Sequence, residues 1–147
     1  MRALLCVLLA SLVSRDGPVE WTVLVDQTGR CLFAVPPDWR VDESIGPGLG
    51  LVRSRDGRAT AMLTWVRKPL TAVAAELSAS PYKPIGFELS PHRLVGSYTG
   101  GWPGTHHVAA TEDEAGSCVL YIDGPEKRDQ ALERMIDAIA ATADSVR

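Results

Sequence analysis

Apolar and polar positions alternate with a period of two through most of this chain. They switch to a helical period in two places, which predicts strands interrupted by two helices. Residues 20–26 (EWTVLVD) put Trp21, Val23 and Val25 on one face and Thr22 and Leu24 on the other, a strand rich in β-formers. Residues 27–30 make a turn, and residues 31–35 (CLFAV) return as the second arm of a hairpin. That arm must stop at Pro36, because neither Pro36 nor Pro37 has an N–H for a ladder. Asp38 suits a turn, and Trp39 is expected to fold back over the core beside Phe33. Residues 40–44 begin a polar strand, and Gly46, Pro47 and Gly48 form a loop. Residues 49–55 (LGLVRSR) and 59–66 (ATAMLTWV) flank Asp56-Gly57, a strong hairpin signal. Both faces of the second arm are fairly apolar, which predicts a central strand.

Leu70, Val73, Ala74 and Leu77 then fall at i, i+3, i+4 and i+7, one stripe of a helix with Thr71 as its N-cap and Ser80-Pro81 as its close. Residues 82–86 read as a loop with two prolines, residues 87–90 as an edge or lead-in, and residues 93–98 as a strand. Residues 100–104 (GGWPG) make a sharp loop, residues 105–111 a strand, residues 112–116 an acidic turn, and residues 117–122 the last and most apolar strand. Asp123-Gly124-Pro125 is expected to begin a second helix with proline in its first turn. Leu132, Met135, Ile136 and Ile139 form its buried stripe, and it runs to about Asp144. Short polar turns imply antiparallel pairing. The fold class is α+β: an antiparallel sheet of about six to seven strands packed with two helices in a layered α/β/α-type sandwich.

The 147 residues make one domain of ordinary size. A hydrophobic fraction of 46% and a charged fraction of 22% are those of a globular chain, and a net charge of −3 argues against nucleic-acid binding. The N-terminus (MRALLCVLLASLV) places one arginine before an apolar run that is too short to span a bilayer and has the length of a signal-peptide core. Residues 1–16 are therefore expected to be a leader and residues 17–147 a single exported domain, extracytoplasmic in location. Cys6 lies too close to Met1 to be a lipoprotein cysteine.

The apolar strand ending in Val35-Pro36-Pro37-Asp38-Trp39 resembles the start of the PsbP-like domains, where a short apolar strand meets a proline–tryptophan turn. Later features follow in the same order: the Asp56-Gly57 hairpin, a short helix, a Gly-Trp-Pro-Gly loop, a strand rich in small apolar residues and a C-terminal helix. The resemblance covers residues 20–147 and implies an antiparallel sheet sandwiched by helices. It implies no single function, since such domains include a photosystem oxygen-evolution subunit, a nuclear import factor that binds a GTPase, and exported bacterial proteins of unknown role. None of the plant subunit's ion-related residues has a matching position here.

Few residues carry candidate chemistry. Cys31 and Cys118 both precede apolar runs; they are either a disulfide, in an oxidising compartment, or two buried free thiols. His106 and His107 are adjacent in a strand, so they point to opposite faces and cannot chelate one metal as a local pair. A Cys118–histidine nucleophile pair lacks an orienting third group at recognisable spacing, and either histidine reads as a partly exposed strand residue. Arg53, Arg55 and Arg58 surround the Asp56-Gly57 turn, with Arg53 and Arg55 on one face, as an anion-binding cluster or a solvated strand edge. Trp102 is a candidate partner contact or a cover for the sheet end. No catalytic motif, metal set or cofactor motif emerges. The reading is an exported non-enzymatic domain that binds a protein partner or assists an envelope assembly, and the alternative is a small-molecule or lipid carrier with an apolar pocket between sheet and helix.

Overall fold

Three aspartates build three of the hairpin turns. Asp26 accepts from Thr28, Arg30 and Cys31 main-chain N–H groups. Asp56 accepts from the Ser54 hydroxyl and the Arg58 N–H, with Gly57 at φ 72° where a side chain would be strained. Asp113 accepts from Ala115 and Gly116 N–H groups. The fold comes from a computed structural model, which describes residues 9–14, 17–42 and 51–146. The loop expected at Gly46, Pro47 and Gly48 lies outside these described residues.

In chain order the elements are β1 (Leu9–Ser14), β2 (Gly17–Val25), β3 (Cys31–Val35), β4 (Arg40–Val41), β5 (Leu51–Arg53), β6 (Thr60–Val66), α1 (Leu70–Leu77), β7 (Lys83–Leu89), β8 (Arg93–Gly100), β9 (Trp102–Glu112), β10 (Ser117–Asp123), α2 (Gln130–Ala141) and β11 (Asp144–Ser145). The larger sheet has the order β4-β5-β6-β10-β9-β8-β7, the smaller β1-β2-β3-β11, and all pairs are antiparallel. Against one face of the large sheet α1 buries Leu70, Val73 and Leu77 on Leu94, Val108, Ala110 and Val119. Against the other, the small sheet and α2 bury Phe33, Val35, Ile136 and Ile139 on Leu63, Ala109, Leu120 and Ile122. With both faces covered, β9 is buried at the consecutive positions Val108, Ala109 and Ala110, as a central strand must be. The architecture is the expected α+β sandwich, with a second small sheet beside α2. Trp39 is buried in the same cluster as Phe33, and its N–H donates to the Pro36 carbonyl at 3.0 Å, closing the Pro-Pro-Asp turn.

Leu9–Ser14, within the residues read as a leader, is a strand paired with β2 from Leu9 opposite Thr22 to Ser14 opposite Gly17. Several other local expectations are corrected. Residues 82–86 are largely strand, because β7 is an edge, where Pro84 has no ladder to interrupt on its outer side and the register shift between Ile85 and Glu88 absorbs Gly86. The 100–104 loop shrinks to a turn at Gly100 and Gly101, with φ of 107° and 79°, and Trp102 already belongs to β9. A side chain at Gly100 would strike the Pro81 carbonyl at 2.0 Å, so the tight approach of this turn needs glycine.

The helix ends also differ. Pro69, not Thr71, is the N-cap of α1 and offers no side-chain bond; the Glu112 carboxylate, at the end of β9, accepts the Leu70 N–H at 3.1 Å. The second helix starts at Gln130 rather than near Pro125, because Asp129 caps it by accepting the Leu132 N–H. It ends at Ala141, where Thr142 accepts the Ala34 N–H and Arg93 donates to the Ala140 and Ala143 carbonyls, freeing Asp144–Ser145 to pair with β3. Its buried residues are Ile136, Ile139 and Ala140, while Met135 faces solvent. No helix among the described residues is long and apolar enough to cross a membrane.

Candidate functional site

The register of the large sheet sets Arg53, Thr60, Asp123, His106 and Tyr98 side by side across β5, β6, β10, β9 and β8. Directly opposed residues of antiparallel strands project to the same side. This row therefore faces the α1 side, where Tyr98 is buried with Leu70 and Val108. The next row on that face runs Leu51, Met62, Tyr121 and Val108. With only eight residues, α1 packs over β7, β8, β9 and Val119 of β10, and leaves the adjoining face of β5, β6 and the Tyr121–Asp123 end of β10 open. A cleft of about 400 Å³ results, walled by Glu76 and Leu77 of α1 and floored by Met62 and Tyr121. Tyr82, Tyr98 and Tyr121, all the tyrosines of the chain, line it together with Trp102.

The aromatic groups are mutually packed. Tyr82 meets Tyr98 edge-on with centroids 5.6 Å apart, Tyr98 lies 5.2 Å from the His106 ring, and Trp102 lies 4.2 Å from His106. Such contacts each contribute about 0.5–1.5 kcal/mol beyond area burial. His106 itself is buried, with Nδ1 2.5 Å from an Asp123 carboxylate oxygen and Nε2 3.2 Å from the Trp102 carbonyl. This pair anchors the Trp102 end of β9 to β10. Burial, followed by the charge of Asp123, pushes the Tyr98 phenol well above its ordinary pKa; burial, followed by Glu76, pushes Tyr121 up as well.

His107 points to the opposite face. Its Nδ1 is 3.1 Å from the Ser97 hydroxyl and its Nε2 takes a hydrogen bond from Arg128, which also donates to the Thr105 and Pro125 carbonyls. Burial first, then the Arg128 charge, hold the His107 imidazole below its ordinary pKa. Arg128 is thus an internal brace of the loop before α2. His106 is fully buried rather than partly exposed, whereas His107 keeps the partial exposure that its strand position predicts.

The sequence-derived candidates fall in three separate places. Cys31 and Cys118 are joined, with sulfurs 2.10 Å apart, and tie the small sheet to β10. Cys118 pairs in register with Thr111, at the far end of β10 from the Asp123–His106 contact, so the Cys118–histidine nucleophile pair is lost. The three arginines do not form one site. Arg53 is bound to Asp42 at 2.8 Å, Arg58 lies 4.0 Å from Asp56, and β5 ends at Arg53, so Arg55 sits in the turn rather than on a shared strand face. Trp102 is 48% exposed at the rim of the cleft. The tyrosines, Met62 and Asp123 are the site residues that the sequence reading missed, and His106, weighed there as a metal ligand or nucleophile partner, joins them as a buried partner of Asp123. Period-two alternation within β9 and β10 was the available signal, and only strand register turns it into a shared row. Among the described residues no group of three or more His, Cys, Asp or Glu side chains is placed to hold a metal ion.

Comparisons with known proteins bear on the fold. No family model and no curated protein matches the chain. Among solved structures, it is similar to the solution structure of cyanobacterial PsbP (CyanoP) from Synechocystis sp. PCC 6803, with 15% identity and a TM-score of 0.52 over 92% of this chain and 98% of that one. At that identity the likeness extends to the backbone path alone, and the chain has a PsbP-like fold.

Proposed function

We propose that this is an exported, non-enzymatic binding domain that docks a protein partner in the α1-side cleft, with Trp102 as the anchor at its rim. The observation that carries the reading is the half-exposed Trp102 beside a cleft lined by every tyrosine of the chain. Tyrosine and tryptophan are the residues on which binding energy concentrates in protein interfaces, and a small pocket that takes one partner side chain is the usual form of such a centre. Export is supported by the apolar N-terminal run and by the Cys31–Cys118 pairing, since disulfides persist in oxidising compartments. A photo-crosslinker at position 102 of the full chain, expressed in its native cells, tests the docking. One discrete adduct is expected from position 102 and none from position 55 or 127 on exposed surface elsewhere. Equal labelling from all three positions would remove the cleft as the docking site.

A second reading, a small-molecule carrier, has its own support. The cleft lies between sheet and helix, and about 400 Å³ is within the range of small-ligand sites. Native mass spectrometry of the purified protein separates the two, because a carrier leaves its cells with a stoichiometric small molecule bound.

A further inference from the structure

We infer that the group received by the cleft is a cation, the guanidinium or ammonium of an arginine or lysine side chain on the docking partner. This rests on the docking reading and gives the partner its chemistry. Three phenol rings and an indole surround the space, and aromatic π systems attract organic cations. Glu76 and Asp123 add carboxylates, and no lysine or arginine is among the lining side chains of the described residues. Arg53, the cation of the same sheet row, is taken up by Asp42.

The polar groups of the cleft are also incompletely used. Asp123 spends one oxygen on His106, and its Oδ2 makes no hydrogen bond or ion pair among the described residues. Tyr98 is 2% exposed, lines the cleft, and its hydroxyl has no hydrogen-bond partner among the described residues. The Tyr98 hydroxyl oxygen is not fully buried, so it stays open to a donor that enters the cleft. A guanidinium supplies N–H donors to both acceptors at once. Glu76 already holds one ammonium, Lys68 Nζ at 2.5 Å, in an exposed pair that an incoming cation can join or displace. An anion would meet two carboxylates, and a purely apolar guest would strip water from them without replacing its hydrogen bonds. The cleft opens to solvent beside Trp102, whose exposed ring can cover the aliphatic stem of a long basic side chain.

The test is an amide and indole NMR titration of the full chain with N-acetyl-arginine methylamide, N-acetyl-lysine methylamide and the uncharged N-acetyl-norleucine methylamide. The two cationic probes are expected to shift the Trp102 indole and the Tyr82, Tyr98 and Tyr121 amides, and norleucine to leave them in place. Glu76→Gln is expected to weaken arginine-probe binding about fivefold, and Asp123→Asn by a similar factor. The Glu76 side chain is 60% exposed, so its replacement leaves the fold intact even if Asp123→Asn, which also breaks the His106 contact, does not. Norleucine binding as tightly as arginine, or no shift with any probe, overturns the cation assignment while leaving the docking reading to its own crosslinking test. Arginine-probe binding without any crosslink from position 102 overturns the protein source instead, and the docking reading fails with it.

Discussion

At the scale of single residues, Trp39 and the cleft tyrosines make opposite uses of aromatic bulk. Trp39 is 7% exposed within the cluster that holds Phe33 and Leu120, so its ring is core. Trp39→Ala should lower the unfolding free energy by about 3–5 kcal/mol, read from urea midpoints. A near-neutral result would mean the ring contributes nothing to packing. Tyr98 and Tyr121 carry a pH signature. Their folded-state pKa values are raised, chiefly by burial, so the fold favours the neutral phenols. Their contribution is complete below the unfolded tyrosine value of about 10 and is lost as pH rises through it towards the folded value. Unfolding free energy should therefore fall above that pH, and the fall should be shallower in Tyr98→Phe. A loss of equal steepness in the variant would place the alkaline sensitivity elsewhere. His107, with a lowered value, acts with the reverse limit: its contribution is present above the unfolded histidine value and lost on acidification.

At the scale of elements, the small sheet is the part most in need of a tie. The Cys31–Cys118 link joins β3 to β10 across 87 residues of sequence. Replacing both cysteines with alanine should lower stability by about 4–5 kcal/mol in the chain-entropy model, measured against the oxidised protein by denaturant unfolding. Loss of less than about 1 kcal/mol would show that the reduced chain holds the two layers together unaided. The periodic stripes at Leu70, Val73 and Leu77 and at Ile136 and Ile139 were legible because apolar spacing alone identifies a helix face. Their caps were not. Leu70 takes its capping acceptor from Glu112, and Arg93 closes the end of α2 from β8, so both termini depend on side chains distant in sequence. Residues 82–86 were misread for a related reason: proline excludes a strand only where both edges are paired, and β7 has one free edge.

At the scale of the whole molecule, the two faces of the large sheet are unequally covered. The small sheet and α2 close one face, whereas α1 closes only part of the other, and the cleft is what remains. The proposed export has a whole-chain consequence, because removal of residues 1–16 would delete β1 and leave β2 as an edge strand of the small sheet. The intact mass of the protein recovered from its native envelope fraction should correspond to a chain shortened near that point. Recovery at full-length mass would keep the β1–β2 hairpin and count against a cleaved leader.

The chain by itself determined what depends on local pattern: the strand that Pro36 ends, the Asp56-Gly57 turn, the apolar stripes of both helices, and hence an α+β sandwich. Those features follow from backbone chemistry and from periodicity over a few residues, which neighbours in the chain control. Tertiary structure alone decided which tyrosines share a space, that His106 is held between Asp123 and the Trp102 carbonyl, and that Arg53 is occupied by Asp42. Each of these depends on strand register and on how far α1 extends over the sheet. Those quantities are set by packing between segments tens of residues apart, and no local spacing encodes them.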